Sequence, residues 1–333
     1  MKIFKMTTLE NNIPVPIRDQ VWPEETAPIV TIICATYNHE PYIRECIEGF
    51  LMQETSFPVE IIIRDDCSTD GTTKIIREYE AKYPQLFRPI YETENQYSKG
   101  IRPTAVMLKH GRGMFIAMCE GDDYWMDPSK LERQIVLLDE DDSVIMSAEN
   151  AIVISGDSKF TFSNRKTGFV STRDLVRFRQ FATASIVYRR GAICDFVQTH
   201  QFYYGDTPLM IQASLLGRVH YSTIQSSVYR RHAGGLTARI QGSFRIAKQH
   251  MKYTDDLESL VGHRFLRIFN YRRACVYYDL SRYIDTAGKH KAAKVCAAKA
   301  RSFDCLIGLK RWFKASCLRV IRRMGVPRTF TSG

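Results

Sequence analysis

Val59–Ile76 reads VEIIIRDDCSTDGTTKII. Its opening is nearly continuously apolar and β-branched, the pattern of a strand buried on both faces. Two acids, Asp65 and Asp66, follow at once. Then comes a turn, with Asp70-Gly71 as the turn dipeptide and Ser68 or Asp70 able to cap a helix. GTTKIIREYEAKY reads as that helix, stopped by Pro84. Strand, polar turn and helix in one stretch form the repeating unit of a parallel sheet.

The same unit recurs on both sides. IVTIICA (Ile29–Ala35) reads as a buried strand, followed by TYNHE and a helix with Ile43, Cys46, Ile47, Phe50 and Leu51 on one face. FRPIYE reads as a short third strand, residues 103–110 as a third helix, and MFIAMC (Met114–Cys119) as a fourth strand. EGDDYW follows it, and Asp127 is expected to cap a helix with Pro128 at its first position. The expected class is therefore α/β, a doubly wound, Rossmann-like sheet. Such sheets bind ligands beyond the carboxyl ends of their strands, at a switch point. TYNHE, DDCSTDGT and EGDDYW all stand at such ends. After Ser143 the pattern loosens into one or two strands in SVIMSAENAIVI, a capped helix in STRDLVRF, a strand in TASIVYRR, a helix in GDTPLMIQASLLG and a strand in RVHYS. From about Gln241 the chain reads as helical.

Hydrophobic residues make up 44% and charged residues 25% of the 333, a soluble globular profile. No stretch reaches the ~20 apolar residues of a membrane span, and MKIFKMTTLENNIPVP lacks the apolar core of a signal peptide. Nine cysteines with no CxxC pair point to reduced thiols in the cytoplasm rather than disulfides or zinc. Neither GxGxxG nor GxxxxGK[ST] occurs, so no phosphate loop is predicted. There is no nucleophile elbow or HExxH. The net charge of +11 is uneven: residues 1–235 hold 26 Lys/Arg against 30 Asp/Glu, residues 236–333 hold 21 against 6.

Four motifs, VTIICATYNHEPYI, EIIIRDDCSTDGT, ENQYSKG and FIAMCEGDDYWMDPSKL, occur in this order, and two later segments follow them. Together they resemble family-2 glycosyltransferases, inverting enzymes of the GT-A fold, over roughly Ile29–Thr237. The resemblance implies a mixed GT-A sheet at 29–240; the prolines of 1–28 mark an extended N-terminal arm, and the residues of 241–333 read as a basic helical region. It implies that Ala35, Tyr37 and Glu40 line a nucleotide pocket, with Tyr37 against the base, Asp66 contacting a uracil-like base and Asp65 supporting it. Lys99 or Arg102 would reach the diphosphate, although the stretch departs from the commoner pattern ending in Arg-Asn; a solvated lysine is the other reading of Lys99.

In EGDD, Glu120 stands where the family's Asp-x-Asp has its first aspartate, followed by Gly121, Asp122 and Asp123. Bare carboxylates repel a sugar-nucleotide diphosphate. A divalent cation, Mg²⁺ or Mn²⁺, between them reverses the sign. Glu120 and Asp122 are thus expected at the nucleotide sugar and Asp122 or Asp123 on the metal. VYRRHAGGLT resembles the late Tyr-Arg-x-His-x-x-Gly segment, which would bring His232 to the metal or diphosphate; a surface histidine in a glycine hinge is the alternative. YYGDTPLMIQ resembles Gly-Asp-x-Pro, making Asp206 the base that takes the acceptor hydroxyl's proton. Asp206 is equally suited to be the N-cap of its helix.

Asp304–Gly325 reads as an amphipathic helix with Leu306, Leu309, Phe313, Cys317, Val320 and Met324 on one face and basic residues elsewhere. Two readings stand, attraction to an anionic membrane surface or packing on the tail's own bundle. No nucleic-acid module is visible. The expected function is transfer of a sugar from a nucleotide-diphosphate donor to a glycan or lipid-linked acceptor in surface polysaccharide synthesis, at the cytoplasmic face of the membrane. The rival is a non-catalytic nucleotide-sugar or glycan-binding module with a degenerate transferase fold.

Overall fold

The computed structural model describes residues 13–23, 25–199, 202, 205–232, 234–235 and 244–304. Asp304 is the only residue of the 304–325 segment among them. The described residues fall into two compact units. One lies within Met1–Thr172, Gln180–Gln201 and Leu209–Arg230, the other within Arg173–Arg179, Phe202–Pro208 and Arg231–Gly333.

The first unit is built on a ten-stranded mixed sheet. Its strands are β1 Val30–Thr36, β2 Val59–Asp65, β3 Ile90–Tyr91, β4 Phe115–Met118, β5 Tyr124–Trp125, β6 Val144–Ser155, β7 Ser158–Thr161, β8 Gly168–Val170, β9 Ile186–Arg189 and β10 Arg218–Arg231. Their order is β8-β10-β6-β9-β4-β1-β2-β3, with β5 paired to β10 and β7 to β6. β4, β1, β2 and β3 are parallel. β9 runs antiparallel to both β4 and β6. The parallel winding expected from the sequence therefore holds on one half of the sheet only. The third strand is shorter than FRPIYE, although Phe87 still makes an isolated parallel bridge to Ile61 in the same register.

The chain winds from β1 through β2 to β3, then returns to place β4 on the other side of β1. This reversal makes a switch point between the carboxyl ends of β1 and β4. β1 and β2 are buried on both faces, as Val30, Ile32, Ile61, Ile62 and Ile63 show. Helix α1 (Ile43–Leu51) lays Ile43, Cys46, Ile47, Phe50 and Leu51 into the same core, each large side chain contributing about 1.5–3 kcal/mol. The Phe50 ring meets Trp125 edge-on at 4.8 Å, and a Cβ on Gly49 would lie 2.8 Å from the Trp125 carbonyl oxygen. Only glycine lets the helix pass that close. Helix α2 is Thr72–Lys82, α3 Pro103–His110 and α4 Lys130–Glu140. Helix α4 buries Leu131, Ile135 and Leu138 as expected, but it starts at Lys130 rather than at Pro128. Asp127 instead closes a turn, accepting from Ser129 N–H at 3.0 Å and pairing with Arg133 at 2.7 Å.

Helices α5 (Thr172–Arg177), α6 (Cys194–Thr199) and α7 (Asp206–Leu216) follow in the chain. The described part of the second unit beyond Phe244 is helical: α8 Phe244–Val261, α9 Leu266–Thr286 and α10 His290–Phe303. Buried alanines, Ala274 and Ala300, sit among Tyr271, Tyr277, Tyr278 and Phe303 in its core. Arg273 on α9 pairs with Asp255 at 2.6 Å and with Glu258 on α8. Among the described residues no helix is long and apolar enough to cross a membrane.

Candidate active site

Four loops of the first unit carry the polar clusters. The loops after β1 and β2 are laced together by their own backbones. Asn38 N–H donates to Ser68 Oγ (2.9 Å), and Thr69 N–H returns a bond to Asn38 Oδ1 (2.8 Å). Glu40 N–H donates to Asp70 Oδ2 (3.0 Å), and Gly71 N–H to Glu40 Oε2 (2.9 Å). Asn38 and Cys67 take left-handed backbones, φ 54° and 64°, a conformation uncommon outside glycine. Asp70 Oδ1 also accepts from Thr72 N–H, so it caps α2. Burial pushes the Asp70 carboxyl up, but its bonds from Thr72 and the Glu40 N–H hold it below the usual carboxylate range.

Asp65 and Asp66 are both buried at the end of β2. Asp65 accepts from Ser68 N–H (3.1 Å) and Ser68 Oγ (2.5 Å), and from Thr73 Oγ1. Asp66 accepts from the N–H groups of Gln96 and Tyr97, 3.0 Å each, and pairs with the buried Arg64 at 2.9 Å. Asp66 thus anchors the turn at Tyr97–Lys99. On that turn Lys99 pairs with Glu94, and the Arg102 guanidinium lies 5.4 Å from the Tyr97 ring centroid. Tyr37 is 38% exposed.

The acidic loop leaves β4 at the switch point. Gly121 N–H donates to Ala35 O (2.9 Å), and Asp123 N–H closes a turn on Glu120 O (3.0 Å). A Cβ on Gly121 would lie 2.7 Å from Thr36 Oγ1, so glycine allows the loop to lie against the end of β1. Behind the loop, the thiols of Cys46 and Cys119 approach Glu120 O at 3.5 and 3.6 Å. Burial pushes the Cys119 thiol up to about 11, so it acts as a weak donor and not as a thiolate. Glu120, Asp122 and Asp123 each offer a carboxylate oxygen, all within 4.8 Å of one another. Glu120 is exposed and Asp123 fully buried. His39 Nε2 lies 3.9 Å from Asp122 Oδ2. Asp123 Oδ1 accepts from Arg230 N–H at 2.8 Å, and Arg230 Nη1 donates to Asp122 O at 2.7 Å.

Asp206 and His232 belong to the second unit. Asp206 Oδ2 pairs with Arg179 Nε at 2.9 Å, and Oδ1 accepts from Thr207 N–H at 2.8 Å. His232 O accepts from Gly235 N–H at 3.1 Å.

Of the predicted residues, the structure brings Glu120, Asp122 and Asp123 together and sets Ala35 against them through the Gly121 bond. It engages Asp65 with its own loop, Glu40 with the loop after β2 and Asp66 with the turn at Gln96–Tyr97. Sequence reasoning missed His39 and Arg230. His39 had a visible signal, a histidine in the polar cluster after a buried strand. Arg230 was passed over beside His232.

Residues 31–196 match the sequence model of Glycosyl transferase family 2. The uncharacterized protein Rv1520 of Mycobacterium tuberculosis is 39% identical over 213 residues, covering 62% of this chain and 60% of that protein. The putative teichuronic acid biosynthesis glycosyltransferase TuaG of Bacillus subtilis is 38% identical over 109 residues, 32% of this chain and 41% of TuaG. The chain thus spans 60% of the length of the mycobacterial relative. The crystal structure of S. aureus TarS 1–349 in complex with UDP-GlcNAc superposes with a TM-score of 0.59 at 17% identity, covering 84% of this chain and 92% of that one. At that identity the likeness speaks for the fold, which is GT-A with a helical C-terminal region. Through the domain at 31–196, the chain belongs to glycosyl transferase family 2.

Proposed function

We propose that the chain is an inverting, metal-dependent glycosyltransferase. It moves a sugar from a UDP-linked donor to a hydroxyl of a glycan or lipid-linked acceptor in surface polysaccharide synthesis. The observation that carries this is the triad Glu120, Asp122 and Asp123, gathered within 4.8 Å at the switch point of a family-2 sheet. TuaG, by its description, acts in teichuronic acid biosynthesis, and TarS was crystallised with UDP-GlcNAc. The first supports a surface-polymer acceptor and the second a nucleotide-sugar donor.

Three carboxylate oxygens form a hard donor set that fits Mg²⁺ or Mn²⁺. Thr36 Oγ1, buried and without a hydrogen-bond partner, faces Gly121 in the same loop. Glu120, Asp122 and Asp123 would hold the cation, with His232 reaching it or the diphosphate. When bound, it supplies positive charge to the leaving diphosphate. Tyr37 stacks on the base, and Lys99 or Arg102 reaches the phosphates. Asp66 holds the turn that carries them. The acceptor oxygen attacks the anomeric carbon from the face opposite the diphosphate. The sugar–phosphate bond breaks with its electron pair on the diphosphate, and the acceptor proton passes to Asp206. Arg179 and Thr207 orient that carboxylate, whose remaining lone pairs take the proton. The segment at 304–325 gives the enzyme a basic, amphipathic hold on the inner face of the membrane.

Thermal shift with UDP plus Mn²⁺ tests the reading, together with Asp206→Asn. UDP should stabilise the protein only when Mn²⁺ is present, and Asp206→Asn should keep that response while losing transfer. No response to any nucleotide diphosphate would sink the proposal. Metal-dependent binding without turnover on any donor–acceptor pair would point to the non-catalytic module instead.

A further inference from the structure

We infer that Arg230 is the positioning residue of the acidic loop, setting how Asp122 and Asp123 present their oxygens to a divalent cation. The inference rests on the loop being the cation site proposed above. Arg230 lies near the end of β10, 107 residues from Asp123 and 185 from Glu45 in sequence. Its backbone N–H holds the side chain of Asp123, and its guanidinium holds the backbone carbonyl of Asp122. The other arm of the guanidinium pairs with Glu45 on α1. The group lies 4.4 Å from the Tyr124 ring centroid and 5.2 Å from that of Tyr42, with 12% of the side chain exposed. Stacked arginine keeps its planar fork in one orientation.

A cationic side chain beside carboxylates can act in two opposed ways. As a counter-charge it competes with the metal, and its removal tightens metal binding. As a clamp it fixes ligand geometry, and its removal loosens metal binding. The contacts favour the clamp. The guanidinium meets the loop at a carbonyl oxygen and takes its ion pair from Glu45, outside the triad. Its charge is therefore neutralised on α1, and what it delivers to the loop is position. Partners of this outer kind are worth about 10–100-fold in metal affinity.

The test uses the full chain with Mn²⁺ alone as the probe, titrated by calorimetry and by the EPR signal of free Mn²⁺. Arg230→Met should weaken Mn²⁺ binding about 10–100-fold. Arg230→Lys, which keeps the charge but cannot span both acceptors, should recover only part of the loss. In turnover, the concentration of Mn²⁺ giving half-maximal rate should rise more than kcat falls at saturating metal. Unchanged or tighter Mn²⁺ binding by Arg230→Met, or full recovery by Arg230→Lys, overturns the inference. If Arg230→Met does not fold, Glu45→Gln decides, since it frees the fork from a half-exposed partner. It should weaken binding by less than the about 10–100-fold expected of Arg230→Met, and no change overturns the inference. A wild-type chain that binds no Mn²⁺ would remove the cation site itself. Binding by the wild type with an indifferent Arg230 would remove only the clamp.

Discussion

Gly121→Ala puts the placement of the acidic loop to a quantitative test. The added Cβ would lie 2.7 Å from Thr36 Oγ1, 2.8 Å from Thr36 Cβ and 2.9 Å from His39 Nδ1. Rotating the Thr36 side chain moves its oxygen but not its Cβ, which is fixed to the last residue of β1. Ordinary contact begins at 3.4 Å, so loop and strand must part by about 0.6 Å, the difference of those two distances. Overpacking of this kind costs about 1–3 kcal/mol, of which the stiffer unfolded chain returns about 0.4–1 kcal/mol. The net expectation is a loss of about 0.5–2 kcal/mol. The same displacement carries the three carboxylates, whereas ligand distances tolerate only ~0.2 Å. Mn²⁺ affinity should then fall at least about tenfold, which is about 1.4 kcal/mol. Urea denaturation gives the first quantity and Mn²⁺ calorimetry the second. Thr36→Ala is the control: its Oγ1 has no hydrogen-bond partner, so removing it should cost less than about 1 kcal/mol. Combined with Gly121→Ala, it should restore only part of the loss, because the Cβ–Cβ contact remains. Wild-type stability and wild-type Mn²⁺ affinity in Gly121→Ala would refute the reasoning.

Lys130 is fully buried, with Nζ 2.7 Å from Gln134 Oε1 and 4.4 Å from the Trp125 ring centroid. Burial lowers its pKa from 10.5 to about 8. The unfolded chain then binds more protons between about pH 8 and 10.5, so wild-type stability should rise with pH through that window relative to Lys130→Met. The full difference is about 3 kcal/mol, flat below pH 8, and parallel curves in urea at pH 7 to 10 would exclude it. The basic segment at 304–325 should carry the full chain upward with anionic liposomes in flotation, and a chain ending at 303 should stay below. Equal flotation of both would remove the membrane role.

The parallel half of the sheet was legible because burial on both faces demands unbroken β-branched runs, and IIII-type stretches have few other homes. The antiparallel half was not. β6 extends over Val144–Ser155 with no position exposed and a run of six buried residues in its middle, so the alternation that marks a half-exposed strand is missing. β10 runs to Arg231, well beyond the RVHYS that local pattern suggests. The site divides in the same way. The Glu120–Asp123 cluster is contiguous and follows a strand, so its acids announce themselves. Arg230 meets them from over a hundred residues away, and no local spacing encodes that. The lacing of Glu40 to Gly71 and of Asp66 to Gln96 was hidden for the same reason: the acids were visible, their partners were distant.

This division bears on how the loop can hold three acids at all. Carboxylates this close repel one another, and a loop tethered only by its ends would splay them apart. Here the main chain is held at Ala35 O by Gly121 N–H, at Glu120 O by two thiols, and at Asp122 O by Arg230. Each contact is made to the backbone, and Arg230 N–H also holds the Asp123 carboxylate at Oδ1. A scaffold that grips the peptide at three points holds the acids together against that repulsion. The fold thus keeps the three acids of the switch point within 4.8 Å of one another by gripping their backbone, the arrangement on which the proposed cation site rests.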